Sequence, residues 1–460
     1  MFFHSRSNIQ KWRNLNRYYY QDIENFYKFF VRKESKLLEI GSDFGYLLNS
    51  LQPSYGLGIE QDLQSVEQAK IDFPNLDFLV SDAELFCSPD LLFDYILIAN
   101  TISRLTDIPK TLKNLHQSCQ PSTRIILTFH NPSWETILKL ASLLGQRMPL
   151  PQLNWLSYSD VANLLHLCQF EVVYHSKRLL LPKQIPLISW FCNQVLAPLP
   201  LFNQFCLNEY IIARPLIRVS ETPNCSVIIP ARNEAGNIEA CITNMPQLGT
   251  STEIIFIEGG STDGTWEEIL RVQQKYGDRI IKAYKQSGQG KKNAVWQGFA
   301  IATGDVLIIL DADLTVQPRD LVYFFEAIAS GTCEFANGCR MIYPLSEAAM
   351  PWLNRIANRI FAFLVSYLLN ITLKDSLCGT KAISRQNFHK LSANQDFLGD
   401  IDPFGDFDLI FGAAKLGLKI MDIPVRYLPR KYGKSNINHI QDGIVLLKIC
   451  FQAAKKIKFI

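Results

Sequence analysis

The stretch GDVLIILDADLTVQP, residues 304–318, decides how the second half of the chain folds. Its apolar run Val306–Leu310 reads as a strand buried on both faces, because a parallel sheet covered by helices on each side shows continuous rather than alternating hydrophobicity. The run stops at Asp311-Ala312-Asp313. In extended chain, residues two apart face the same side, so both carboxylates are expected to aim at one spot. Acids so placed repel unless a cation lies between or beside them. Hard oxygen ligands of this kind favour Mg²⁺ or Mn²⁺, which keep positions open for diphosphate oxygens. Asp311 and Asp313 are therefore candidate metal ligands and catalytic residues; the competing reading is a capped turn leading into the helix after Pro318.

Upstream of that stretch, CSVIIPARNEAGNI (225–238) reads as a buried strand, a polar turn and a helix whose amphipathic pattern begins near Ile238. A second strand in EIIFIEGGSTDGTWEEI (253–269) ends in another polar turn, where Ser261 or Asp263 is expected to cap a helix opening near Thr265. Both turns fall at the carboxyl ends of strands, where open α/β sheets bind ligands.

The first half shows a second alternation. Apolar runs at Lys36–Ile40, Gly56–Glu60, Leu76–Val80, Asp94–Ala99 and Arg124–Phe129 are each followed by a helix-compatible stretch, which predicts a doubly wound parallel sheet. Phe170–Tyr174 and Glu209–Ala213 read as an antiparallel pair closing one edge. The first strand–helix turn, LLEIGSDFGYLL (37–48), places Glu39, Gly41 and Gly45 where backbone can approach a ligand, or where a turn merely packs tightly. Glu60 ends the second strand, where a carboxylate can accept both ribose hydroxyls, and Asp82 follows the third, where an acid can accept from an adenine amino group.

The chain has 460 residues, more than one hydrophobic core usually organises, so two or three domains are expected. A division near 214–224 separates the halves into 1–215 and 222–460. With 48% hydrophobic and 19% charged residues, disorder is excluded, and a net charge of +3 is too balanced for nucleic-acid binding by bulk charge. The 11 cysteines form no CxxC pair and no zinc spacing, so they read as buried thiols in a reducing compartment with no disulfide partner. The N-terminal stretch has no continuous apolar segment of the kind a secretory signal carries, which points to the cytoplasm. The longest strongly apolar run, Ile360–Leu373, spans only about 21 Å as a helix against about 30 Å of hydrocarbon, so no transmembrane helix is expected. Gln184–Asn208 is broken by three prolines and reads as a packed irregular segment. Arg355 and Arg359 flank one end of the apolar helix expected at Trp352–Leu373 and Lys374 the other, a pattern suited to an interfacial helix or to burial. The segment 443–460 sets Lys448, Gln452, Lys455 and Lys456 on one helical face and Leu446, Cys450, Ala453 and Ile457 on another, suited to peripheral membrane contact or to docking on its own domain.

Residues 1–215 resemble the class I S-adenosylmethionine-dependent methyltransferases, including FDYILIANTISRLTD (93–107) after the fourth strand. The resemblance implies a seven-stranded sheet and carries donor binding onto Glu39, Gly41, Gly45, Glu60 and Asp82. Asp43 departs from the family by standing where a glycine is usual. His130, after the fifth strand, is the candidate base for an alcohol acceptor, with a structural histidine as the other reading; Asn100 could position an acceptor.

Residues 222–435 resemble the family 2 glycosyltransferases of GT-A fold, which implies that Pro230, Arg232, Glu234 and Glu258 surround a nucleotide-sugar. It further implies that Asp311 and Asp313 bind metal and diphosphate. Glu258-Gly259 replaces the family's usual aspartate pair, and Lys292 in SGQGKKNAV (287–295) stands at a position often glycine, where it offers a phosphate contact or a solvated helix start. No QxxRW motif occurs, which argues against processive elongation. The order NGCRMIYP, DSLCGTKAISR and FDLIFGAAKLGLKIMDIPVRYLPRKYGKSN is similar to dolichyl- and polyprenyl-phosphate sugar synthases and implies Arg340, Arg355 and Arg430 as phosphate ligands. That family's final lysine is replaced by Asn436, with Lys434 nearby. An ionised phosphate attacks without a strong base, whereas a glycan hydroxyl needs one. Asp408 in GDFDL is the candidate base for that second case, or a helix-start carboxylate. The expectation is a bifunctional enzyme of two Rossmann-like α/β domains, at the inner face of a membrane. It would use a nucleotide-sugar, Mg²⁺ or Mn²⁺, S-adenosylmethionine and a lipid phosphate or glycan acceptor. The alternatives are a silent methyltransferase-like binding module or a saccharide hydroxyl acceptor.

Overall fold

The computed structural model describes residues 6–148, 154–217, 222–393, 402, 405–433 and 439–458. Lys434 and Asn436 lie outside the described residues. The chain forms two compact units, 1–217 and 218–457, apart from three C-terminal residues grouped with the first. Among the described residues, each unit is built on one seven-stranded sheet.

In the first unit the strands are β1 (Lys36–Ile40), β2 (Tyr55–Glu60), β3 (Asp77–Val80), β4 (Phe93–Ala99), β5 (Cys119–His130), β6 (Phe170–Arg178) and β7 (Asn208–Pro215). Their order is β3-β2-β1-β4-β5-β7-β6. The first five run parallel, and β7 lies antiparallel between β5 and β6. Alternate residues of the apolar runs face opposite sides: Leu38, Ile96 and Leu127 enter one core and Leu37, Leu97 and Ile126 the other. This double burial is why the runs are uninterrupted. Helix starts are fixed locally: Asp62 and Asp107 accept from the backbone of Ser65 and Lys110, and Ser157 with Asp160 makes a reciprocal capping box. The segment 184–208 forms short helical turns with Leu187, Trp190, Leu201 and Phe205 exposed.

The second unit contains β8 (Cys225–Ala231), β9 (Thr252–Glu258), β10 (Ile280–Lys285), β11 (Val306–Ile309), β12 (Phe335–Cys339), β13 (Lys381–Ser384) and β14 (Ile420–Pro424). Their order is β10-β9-β8-β11-β13-β12-β14, with β13 antiparallel to both neighbours. Ile228, Ile255 and Leu307 face one core and Val227, Ile254 and Ile308 the other. Pro230 sits near the end of β8, past the last residue paired to β11, Ile228, so its missing N–H breaks no ladder bond on that side.

The long apolar helix runs Trp352–Leu369, shorter than the stretch expected from sequence. Phe361, Val365 and Leu369 enter the core, while Trp352, Leu353, Ile360 and Phe363 stay exposed. The last helix, His439–Ala453, buries Leu446, Ile449, Cys450 and Ala453 in the same core, so its apolar face docks on its own unit. Among the described residues no helix is long and apolar enough to cross a membrane.

Candidate active sites

In the second unit, β11 ends at Ile309 and the chain turns at Ala312 and Asp313. The two aspartates therefore do not sit in extended chain, as expected from sequence. They occupy a turn in which Leu314 takes φ +54°, a left-handed conformation costly for a residue with a branched side chain. Asp311 Oδ1 lies 2.6 Å from Lys291 Nζ. Asp313 Oδ1 accepts from the Thr315 N–H at 3.0 Å and hydroxyl at 2.8 Å, and its Oδ2 accepts from Arg430 Nη2 at 2.8 Å. Arg430 also donates from Nη1 to Glu234 Oε1 at 2.5 Å, so one guanidinium joins the first ligand turn to the third.

The first and second turns are laced together. Asn233 N–H donates to Ser261 Oγ at 2.9 Å, Thr262 N–H to Asn233 Oδ1 at 2.9 Å, and Glu234 N–H to Thr265 Oγ1 at 2.9 Å. Ser261 is thus a cross-link and not a helix cap. The helix Thr265–Lys275 has Gly264 at its N-cap, with Asp263 reaching the Thr265 N–H at 3.1 Å. Buried Glu258 accepts from the Ser261 N–H, Arg232 is exposed, and Pro230 is half-buried beside them. The loop after β14 folds back over the first turn: the Tyr432 hydroxyl donates to Asp263 at 3.2 Å, and its ring occupies the space a Cβ on Gly236 would need.

Lys292 Nζ lies 2.6 Å from Asp408, so the candidate base and the candidate phosphate contact form an ion pair. Lys291 takes the inward position. Burial works against its charge, yet Asp311 and Asp406 outweigh it and hold the ammonium protonated. Arg340 is engaged by buried Asp375 through two parallel bonds of 2.7 and 2.9 Å. Against its own burial, Asp375 is held down to about 2 by that guanidinium. Arg355 donates to the Met350 carbonyl and pairs with Glu347 at 3.2 Å, with no described contact to the aspartate turn. Asp406, not Asp408, is the acid beside Lys291; burial raises its pKa, against the pull of Lys291 and Lys381.

Among the described residues no group of three or more His, Cys, Asp or Glu side chains converges on one point. A two-carboxylate set still suits Mg²⁺ or Mn²⁺, which take remaining ligands from water and phosphate. Gly379 lets the pair of Asp311 and Lys291 close against the backbone, because a Cβ there would overlap both the carboxylate and the ammonium.

The first unit holds a cavity of about 680 Å³. Of the expected donor ligands, Glu39 and Gly41 line it, while Gly45, Glu60 and Asp82 do not. Glu39 is buried and accepts from the Leu48 N–H at 3.2 Å; burial, and next the Asp43 charge, raise its pKa well above the carboxylate range. Gly41 has φ +70°, and a Cβ there would overlap the Thr101 side chain, so this turn closes only on glycine. Asp43 takes φ +45°, the conformation a glycine would adopt, which aspartate tolerates better than most residues. Its carboxylate lies 3.8 Å from Arg104. Glu60 spends its carboxylate on the Asp43, Gln61 and Asp62 N–H groups, and Asp82 accepts from the Glu84 N–H. Gly45 faces Phe78 and serves packing.

His130 and Asn100 line the cavity, joined by a residue the sequence reading missed. The Tyr19 hydroxyl pairs with His130 Nε2 at 2.9 Å and accepts from Asn100 Nδ2 at 3.0 Å. Burial, then the Arg147 charge, lower the His130 pKa to about 3. Both effects favour the neutral ring, and its geometry suits orienting Tyr19. Asn100 and Ser42 each leave a buried side-chain oxygen without a partner in this cavity. Such groups, with the Gly41 turn, fit a polar ligand carrying hydroxyls and an amino group.

A methyltransferase domain model matches residues 12–175, and a glycosyl transferase family 2 model matches residues 226–392. The glycosyltransferase AglD of Haloferax volcanii is 29% identical over 235 residues, which is 50% of this chain and 36% of that protein. A dolichol-phosphate mannosyltransferase of Pyrococcus furiosus is 27% identical over 218 residues, 46% of this chain and 58% of that protein. This chain thus spans little more than a third of the first relative's length and under two thirds of the second's. A solved methyltransferase of Thermotoga maritima, a possible histamine N-methyltransferase, aligns over 46% of this chain and 95% of its own at 15% identity and TM-score 0.35. The chain joins a methyltransferase domain at residues 12–175 to a family 2 glycosyl transferase domain at residues 226–392.

Proposed function

We propose that the second domain moves a sugar from a nucleotide-sugar to a polyprenyl phosphate or related lipid phosphate, with a divalent cation held by Asp311 and Asp313. The observation that carries this reading is the alternation of acid and cation at the strand ends: Asp311 with Lys291, and Asp313 with Arg430 and Glu234. Lone acids would suit a cation alone and lone cations a phosphate alone; the mixed set suits both together. A bound divalent ion would neutralise charge on the leaving diphosphate. Lys291 and Arg430 supply fixed positive charge at the same place. The ion pair between Lys292 and Asp408 engages the candidate base, which favours a phosphate nucleophile over a sugar hydroxyl. Product made from radiolabelled nucleotide-sugar and polyprenyl phosphate is expected to extract into organic solvent. Label found only in the aqueous phase would remove the lipid reading and favour the saccharide alternative.

The first domain, on this proposal, transfers a methyl group from S-adenosylmethionine, held at the Glu39–Gly41 turn. The donor supplies an activated methyl; the chain supplies the cavity and the Tyr19–Asn100–His130 set that orients an acceptor.

Peripheral membrane contact is proposed through the exposed residues Ile360 and Phe363 on one helix and Leu447 and Phe451 on another, with Lys448 and Lys455 exposed nearby in sequence. Vesicles containing phosphatidylglycerol should pellet the chain, and Phe363→Glu with Leu447→Glu should abolish pelleting without lowering Tm. Unchanged pelleting would remove the membrane proposal.

A further inference from the structure

Every charged side chain that lines the first-unit cavity has a counterpart except one. Glu24 pairs with Arg13 at 3.1 Å, Asp43 lies 3.8 Å from Arg104, and Lys183 donates to Asn16 Oδ1 at 2.9 Å. Buried Glu39 is raised toward its neutral form and accepts from the Leu48 N–H. Arg147 differs from these: among the described residues no pairing partner is found for it. Its Nη2 is buried without a hydrogen-bond partner, and the groups that bear on its charge are Tyr19 and Tyr20. A partly buried guanidinium left in this state is costly, and an anion arriving beside it relieves the cost.

The wall next to Arg147 has the opposite character. Helix Glu135–Leu143 and the turn after it contribute Ile137, Leu140 and Leu144, which line the cavity yet remain 52%, 54% and 66% exposed. Large aliphatic side chains that belong to both a cavity and the surface mark an apolar mouth. A small polar substrate has no use for it, and water gains nothing there.

We propose that the cavity takes an amphipathic acceptor, with an anionic group seated on Arg147 and an apolar body lying along Ile137, Leu140 and Leu144. The proposal rests on the methyl-transfer reading for the word acceptor, but the binding claim stands apart from it. It also separates two anions. On the proposed function the donor's own carboxylate is placed at the β1 turn, whereas Arg147 lies in the turn after helix Glu135–Leu143.

The test uses the full chain and 12-bromododecanoate, whose bromine quenches nearby tryptophan, against 12-bromododecanol, both below their micelle thresholds. A carboxylate probe avoids imitating a lipid phosphate at the glycosyl transferase site. Quenching is expected to half-saturate at a concentration at least tenfold lower for the acid than for the alcohol, and to shrink in Trp134→Phe, since Trp134 lines the cavity. Arg147→Gln should erase the tenfold preference, leaving the alcohol response and Tm in place, and Arg147→Lys should restore most of it. Calorimetry with S-adenosylmethionine should give the same donor affinity for wild type and Arg147→Gln. Equal half-saturation for both probes, a preference that survives Arg147→Gln, or a donor affinity that falls with Arg147→Gln would each overturn the proposal. Absent donor binding with the acid preference intact would defeat the methyl-transfer reading alone and leave the binding claim supported.

Discussion

Asp313→Asn is expected to lower sugar transfer by about 10²–10³-fold, the scale of losing one preorganised charge at a site of developing charge. The substitution preserves shape. One amide oxygen can still accept from Thr315, so the turn holds. What changes is the atom facing Arg430. There the carboxylate oxygen accepts at 2.8 Å, and an amide nitrogen in its place meets a donor with a donor. Arg430 then keeps its pair with Glu234, and the proposed cation loses one of its two carboxylates. Stability should change little, since a partly exposed pair is worth about 0–1 kcal/mol. Methyl-donor binding should be untouched. Lys291→Met is expected to follow with a large loss in kcat, and Lys292→Met with a smaller one, because only Lys291 is paired with Asp311. Initial rates across a Mn²⁺ titration measure all three. Wild-type turnover in Asp313→Asn, with or without chelator, would refute the metal assignment, and a larger loss in Lys292→Met would reverse the roles of the two lysines.

Much of the fold was open to sequence reading because double burial leaves a plain trace. Each central strand reads as an unbroken apolar run, and polar turns fall where those runs stop. The short strands near the β14 edge carried no such trace. β12 is Phe335-Ala-Asn-Gly-Cys339, where the polar Asn337 is buried by bonding Asp422 and the Asp375 carbonyl from distant segments. The pairings among the site residues were hidden from sequence for the same reason. Lys291 and Lys292 are neighbours at the start of a helix, and about 100° of rotation separates their directions, so only the positions of Asp311 and Asp408 tell them apart. Arg340 looked available until Asp375, 35 residues on, was seen to take it. The turn at Asp313 lacks the glycine that would have announced it, since Leu314 bears the left-handed conformation. The weak basicity of His130 is a property of burial, which no local pattern carries.

Gly41→Ala is the sharpest probe of the first domain, and it should reduce S-adenosylmethionine affinity by at least about 100-fold. Two separate constraints meet at this residue. Its φ of +70° costs an L-residue about 1–2 kcal/mol. Its missing Cβ also makes room for Thr101, whose hydroxyl donates to the Ala99 carbonyl at 3.2 Å and accepts from Arg104 at 3.4 Å. The backbone cannot slide aside to relieve the overlap, because the Gly41 N–H donates to the Ile59 carbonyl at 2.8 Å. A methyl group there must displace Thr101 or reshape the turn that lines the cavity. Gly45→Ala is the control. It has the same left-handed conformation, with φ +73°, but its Cβ would press on Phe78 in the core and not on the cavity wall. It should therefore lower Tm more than it lowers donor affinity, the reverse of Gly41→Ala. Calorimetry and thermal unfolding on the two full-length variants separate these effects, with sugar transfer as the check that the second domain stays folded. Wild-type chain that binds no donor would make the first domain a silent module. Donor binding that survives Gly41→Ala at full strength would place the donor elsewhere than the β1 turn.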